Sequence, residues 1–210
     1  MKWGVIGTGG HSKVVVETIQ TNTLGASFVF FSSSRPTHPF FSSYLTLHDT
    51  IEVMKQYESG IDLWHVAIGH IDVREAKLIE LQDDEKVTPP IIHQQAIVSP
   101  TATIGEGSFI HVGVIINACA TIGQGTIINT AATIDHDCII GNYVNIGPGS
   151  HLAGGVSVGE KTELGTGVNV RPNVHIGRRC IIGAGSVVVS DIPDDSVVYG
   201  VPARVIRKRV

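Results

Sequence analysis

The chain has 210 residues, 42% of them hydrophobic and 16% charged, with a net charge of -4. That length suits one large domain or two small ones, and the balance excludes a disordered chain or a basic nucleic-acid-binding one. Glycine is frequent at 24 residues while aromatic residues are 6% of the chain, a composition of many short turns rather than aromatic-rich helices.

The N-terminus reads MKWGVIG and starts at once as a buried strand, with no basic, apolar and small-residue segments in the order of a signal peptide. No apolar run approaches the ~18 residues of a membrane helix, so no membrane association is expected. Cys119, Cys138 and Cys180 form no CxxC pair and are odd in number, which reads as reduced thiols in a cytoplasmic protein.

Residues 1–90 alternate between strand and helix patterns. Lys2–Ile6 reads as a strand, Gly7 to Lys13 as a glycine-rich turn, and 11–20 as a helix with Val15 and Ile19 on one face. A strand over Ala26–Phe31, a helix over His48–Tyr57, a strand over Leu63–Gly69 and a helix over Asp72–Gln82 follow. This predicts a small Rossmann-like parallel α/β domain. Its strand–glycine turn–helix start presents backbone N–H groups to an anion, so Gly9, Gly10, His11, Ser12 and Lys13 are candidate substrate-binding residues. The dinucleotide fingerprint is incomplete: the third glycine is absent, and the next strand ends Phe30-Phe31-Ser32-Ser33 without the acidic residue that binds ribose.

From Val98 an aliphatic residue recurs every six positions: Val98, Ile104, Ile110, Ile116, Ile122, Ile128, Ile134, Ile140, Ile146, Leu152, Val158, Leu164, Val170, Ile176, Ile182 and Val188. The next residue is often glycine, and the fourth after it is small or β-branched. Each hexad predicts a short strand and a corner; three make a triangular coil, and stacked coils bury a ladder of aliphatic side chains. The small position shares the narrow interior, and the glycines are expected to supply backbone freedom at the corners.

These repeats resemble the hexapeptide-repeat acyltransferases, whose β-helix is parallel and left-handed. A narrower resemblance covers nearly the whole chain. Its marks are the Gly-Gly-His-Ser turn after the first strand, VAIG at 66–69 with Arg74 beyond, Ile92-His93, NTAATIDHD at 129–137 and the closing GVPA at 200–203. They are similar to bacterial sugar O- and N-acyltransferases, including sialic-acid O-acetyltransferases and N-acetyltransferases of nucleotide-linked 4-amino sugars. The resemblance implies two domains: 1–90, a sugar-nucleotide-binding domain that includes Gly69 in its site, and 91–210, a β-helix acyltransferase domain. It also implies acetyl-CoA as co-substrate and a homotrimer with sites between subunits.

Acetyl transfer from a thioester needs a base, donors for the oxyanion and a groove for the pantetheine arm. Counted in coils of eighteen from Val98, His136 shares its column with Gly154, so Gly154 is expected one coil beyond it, about 5 Å away. Asp135 and Asp137 flank His136, and one of them is expected to orient the imidazole. By resemblance His136 is the catalytic general base and Asp137 its partner. The resemblance further implies that Asn129 lies near the reacting groups, that Gly154 donates to the oxyanion, and that acetyl-CoA passes Thr166 and Ala184. Three positions depart from the relatives: Asn145 stands where several carry a second histidine, and Ser32-Ser33 where the uridine-specific enzymes carry an acidic pair. His111, His151 and His175 fall in three different columns and are expected neither to stack on one another nor to act. His93 is expected to be a structural hydrogen bonder.

The activity these features favour is N-acetylation of the 4-amino group of a nucleotide-linked amino-deoxy sugar; the alternative is O-acetylation of a sugar hydroxyl such as that of sialic acid. No two prism histidines are five apart, as the zinc site of γ-type carbonic anhydrases would need, so no metal is expected.

Overall fold

The computed structural model describes residues 1–209. It divides into two compact units, Met1–Ile91 and a second from Ile92 onward.

The first unit is a four-stranded parallel sheet with three α-helices. In chain order these are β1 (Lys2–Ile6), α1 (Gly10–Asn22), β2 (Ser27–Phe31), β3 (Leu45–Leu47), α2 (Ile51–Tyr57), β4 (Leu63–Val66) and α3 (Ile71–Asp83). The strand order is β3-β2-β1-β4. Val5, Ile6, Phe30 and Phe31 are wholly buried, as the continuous apolar runs of a covered parallel sheet require. α2 starts at Ile51, three residues later than its sequence pattern suggests, because the Thr50 hydroxyl accepts a bond from Val53 N and caps the first turn. β4 stops at Val66, short of the expected Gly69. The next turn is held by Arg74, whose buried guanidinium donates to Ile68 O at 2.9 Å and Gly69 O at 2.8 Å. β3 is an edge strand that the sequence reading did not anticipate.

The second unit is the expected prism. Its two-residue strands lie on three faces, and partners in neighbouring coils are eighteen residues apart. Face one carries Phe109–Ile110, Ile127–Ile128 and Asn145–Ile146, face two Ile115–Ile116, Thr133–Ile134 and His151–Leu152, and face three Thr121–Ile122, Ile139–Ile140 and Ser157–Val158. The aliphatic series fills the interior from Ile110 to Val188. The register also reaches back one slot to Ile92, where His93 N donates to Ile110 O at 2.9 Å. At the far end one corner is two residues short: Ile176 bridges to Ile192, and Ile182 pairs with Val198.

The small interior positions do more than save space. Ser108, Thr126, Ser150 and Thr162 are fully buried. Their hydroxyls donate to the carbonyls of Gly123, Gly141, Gly165 and Gly177 at 2.8–3.0 Å. Each accepts in turn from an N–H eighteen residues on. No buried hydroxyl of this set is left unsatisfied, so none carries a desolvation penalty.

The corner glycines have a different cause from the one expected. Those directly after the aliphatic residue are not in the left-handed region; a Cβ at Gly123 would lie 2.6 Å from Asn142 N, and one at Gly141 2.7 Å from Glu160 N. They are glycine because adjacent coils touch there. The left-handed residue comes two places later, and several of those positions are filled by other residues, among them Ala131 (φ 55) and Asp137 (φ 59).

Candidate active site

The corner after face two carries Asp135, His136 and Asp137. Asp135 Oδ1 accepts from Asn117 Nδ2, one coil below, at 2.8 Å, and from His136 N at 2.8 Å. This double anchor fixes the corner from which His136 projects. The left-handed conformation of Asp137 turns its carboxylate back, so that Oδ2 lies 2.8 Å from His136 Nδ1. Both side chains are exposed, at 61% and 66%. The Asp137 hydrogen bond, supported by the charge of Asp135, raises the His136 pKa above the ordinary histidine value. The Asn117 and backbone bonds lower that of Asp135.

Gly154 lies directly over the imidazole: a Cβ there would come within 2.5 Å of His136 Cε1 and Nε2. Among the described residues neither His136 Nε2 nor Gly154 N makes a hydrogen bond. The site therefore offers an oriented base nitrogen, a paired carboxylate and a backbone N–H on one corner, the set that acyl transfer uses.

Asn129 stands on a different corner, the one after face one, and no hydrogen bond joins it to His136. Its Oδ1 accepts from Thr130 N at 2.8 Å and Thr130 Oγ1 at 3.3 Å. Thr166 and Ala184 are exposed on this same corner in later coils. Face two lies between the two corners and forms a groove of about 610 Å³ lined by Asn117, Thr133, Asp135, His151, Asn169 and Arg171, among others.

In the first unit, helix α1 begins at Gly10 with Gly9 as its N-cap residue and no side-chain cap. A Cβ on Gly9 or Gly10 would meet open space. His11 and Lys13 are half-buried. Ser12 is fully buried and its hydroxyl donates to Ala67 O at 3.1 Å, which ties the helix to the end of β4. Gly69 sits in the turn gripped by Arg74. Thr8 meets Ser32 at 3.0 Å, at the edge of a cavity of about 670 Å³ lined by Ser32, Ser33, Arg35, His38, Tyr44 and His48, among others.

The sequence reading did not single out Asn117 or the contacts of His111. His111 Nδ1 lies 2.7 Å from Thr130 Oγ1, and its ring meets that of His93 at 6.2 Å. Counting the series from Ile92 would have put His93 and His111 in one column. His151 and His175 each bond a hydroxyl of the coil below, Thr133 and Ser157. Among the described residues no three His, Cys, Asp or Glu side chains gather in a way that could hold a metal.

The PglD N-terminal domain matches residues 3–81, and the bacterial transferase hexapeptide (six repeats) matches 119–154 and 155–190. No curated protein sequence matches the chain. Among solved structures, a histidine-to-asparagine variant of perosamine N-acetyltransferase from Caulobacter crescentus, in complex with CoA and GDP-perosamine, is 38% identical. It covers 99% of this chain and 98% of its own, with a TM-score of 0.90. The acetyltransferase domain of PglB from Neisseria gonorrhoeae, in complex with acetyl coenzyme A, is 34% identical, covers 98% of each chain and has a TM-score of 0.90. WeeI from Acinetobacter baumannii shares the fold at 24% identity, covering 98% of this chain and 100% of its own, with a TM-score of 0.87.

The fold is that of a hexapeptide-repeat acyltransferase with a Rossmann-like N-terminal unit and a left-handed β-helix. The chain belongs to the bacterial sugar acetyltransferases of this type, which use acetyl-CoA as donor.

Proposed function

We propose that the protein transfers the acetyl group of acetyl-CoA to the 4-amino group of a nucleotide-linked amino-deoxy sugar. The observation that carries this reading is His136, oriented by Asp137 and lying under Gly154. The solved complexes of the relative with CoA and GDP-perosamine support it.

His136 Nε2 takes the proton of the acceptor amine as its nitrogen attacks the thioester carbonyl. Asp137 stabilises the resulting imidazolium, and Gly154 N–H donates to the carbonyl oxygen as it gains negative charge. When the new C–N bond has formed and the C–S bond breaks, His136 returns the proton to the thiolate. Asn129 contacts the acceptor, and the donor's pantetheine arm runs past Thr166 and Ala184.

Residues 1–90 hold the acceptor, with its phosphates at Gly9, Gly10, His11, Ser12, Lys13 and Gly69. The adjoining cavity with Arg35 suits the rest of the nucleotide. Residues 91–210 carry the donor. Exposed Ile97 and Ile139 support a homotrimer in which neighbouring prisms cover them and share sites. Free Cys119, Cys138 and Cys180 support a cytoplasmic setting, and no described helix is long and apolar enough to cross a membrane.

The test is release of free CoA thiol with acetyl-CoA and a panel of GDP-, UDP- and dTDP-linked 4-amino sugars plus free sialic acid, with His136→Ala as control. Turnover of an amino sugar, lost in the variant, supports the reading. Turnover of sialic acid alone moves the activity to O-acetylation, and equal activity in the variant sinks the mechanism.

A further inference from the structure

The corner after face one carries a second network that acts on Asn129. The Asn129 carboxamide is half-buried, and its two ends are distinguished by their neighbours. Thr130 N, 2.8 Å away, is a donor only, so the atom facing it is the carbonyl Oδ1. Thr130 Oγ1, at 3.3 Å, donates its single hydroxyl proton to the same oxygen. The hydroxyl has one proton for two neighbours, so it serves both this oxygen and His111 Nδ1, 2.7 Å away, when that nitrogen carries a proton. The His111 ring is set in place by Phe109 at 5.4 Å, tilted by 34°, and by the edge of His93. His93 Nδ1 is occupied, accepting from Gln95 N at 3.0 Å. Asn129 Nδ2 makes no hydrogen bond among the described residues.

We propose that Thr130 and His111 are positioning residues that hold the Asn129 amide with its donor end outward, so that this corner selects an acceptor presenting a lone-pair oxygen or nitrogen there. The inference rests on the acetyl-transfer reading and adds a direction to it. Without the hydroxyl, one backbone bond alone resists rotation of the amide. A flipped amide would offer a carbonyl where the acceptor also offers a lone pair, and the two would repel.

Thr130→Val keeps the β-branched shape and removes the hydroxyl. It is expected to raise the acceptor KM about tenfold, the size of one neutral hydrogen bond, while the acetyl-CoA KM and thermal midpoint stay near those of the unsubstituted enzyme. Thr130→Ser is expected to restore the acceptor KM. His111→Phe, which keeps a ring against Phe109, is expected to raise it in the same direction by a smaller factor. In an Asn129→Ala background Thr130→Val is expected to have no further effect, because the group it orients is gone.

An unchanged acceptor KM in Thr130→Val, or an effect that adds in full to that of Asn129→Ala, overturns the inference and leaves acetyl transfer standing. An unchanged KM in His111→Phe overturns the part assigned to His111. No turnover of any acceptor by the unsubstituted protein overturns both readings.

Discussion

The imidazole of His136 occupies the space that a side chain at residue 154 would need: a Cβ on Gly154 would come within 2.5 Å of its Cε1 and Nε2. The backbone of Gly154 is outside the left-handed region, so alanine is conformationally acceptable there. The obstacle is an exposed, rotatable side chain rather than packed backbone. Gly154→Ala is therefore expected to fold with a stability within about 1 kcal/mol of the unsubstituted protein. The displaced imidazole is expected to lower kcat by roughly ten- to a hundredfold, since misplaced groups lose their orientation advantage. Denaturant unfolding and steady-state kinetics on the same preparation separate the two effects. Full activity in the alanine variant would sink the geometry proposed for the base.

The two carboxylates beside His136 act on it differently, and pH profiles distinguish them. Asp137 holds Nδ1 through a hydrogen bond and Asp135 acts through its charge; both raise the imidazole pKa. A general base must be neutral, so activity falls as pH drops through that raised pKa. Asp137→Asn removes the larger cause. The acid limb of kcat/KM is expected to move to lower pH while the plateau drops by roughly ten- to a thousandfold, because the imidazolium loses its partner. Asp135→Asn is expected to move the limb in the same direction by less, with a smaller loss at the plateau. An acid limb that stays fixed in Asp137→Asn would mean that another group controls it.

The prism was legible in the sequence because its constraint is steric and repeats. A triangular interior admits an aliphatic residue at Ile110, Ile128 and Ile146 and a small or β-branched one at Ser108, Thr126 and Val144, and the pattern holds over many coils. The stacking of His136 under Gly154 follows from the same count. Other features carry no such period. β3 is three residues long at a sheet edge, too short to show alternation. The start of α2 depends on one hydroxyl, that of Thr50. The anchoring of Asp135 by Asn117 joins residues eighteen apart whose identities nothing in a hexad dictates. The His111–Thr130 contact is offset by nineteen, one more than a coil, so matching columns alone would not reveal it.

Glycine appears at the corners for two reasons, and two substitutions separate them. At Gly123 a Cβ would press on Asn142 N and Gly141 C, both at 2.6 Å, which are the backbone of the next coil. Gly149 has φ +62 with open space around it. Gly149→Ala is expected to cost about 1–2 kcal/mol, the strain of the left-handed region, and Ala131 already tolerates that conformation. Gly123→Ala must move one coil from the next and is expected to cost about 3 kcal/mol or more. Urea midpoints compare them directly; equal losses would refute the steric account of the corner glycine.

The first unit holds a histidine whose proton is linked to folding. His65 lies in β4, 1% exposed, and burial first, then the nearby His11 and Arg74, push its pKa down to about 3 from an ordinary 6.5. Between those values the unfolded chain binds a proton that the folded one excludes. Stability is therefore full above the unfolded pKa and is lost as pH falls through the window from about 6.5 to about 3. For a single proton the loss approaches about 1.4 kcal/mol per pH unit once the unfolded state is protonated. His65→Gln removes the titration while keeping a polar side chain beside Arg74. The variant is expected to be less stable at neutral pH, where the native packing is lost, but to show a flatter decline between pH 6 and 4. Urea unfolding across that range measures both slopes. The same slope in both proteins would assign the acid sensitivity to other groups.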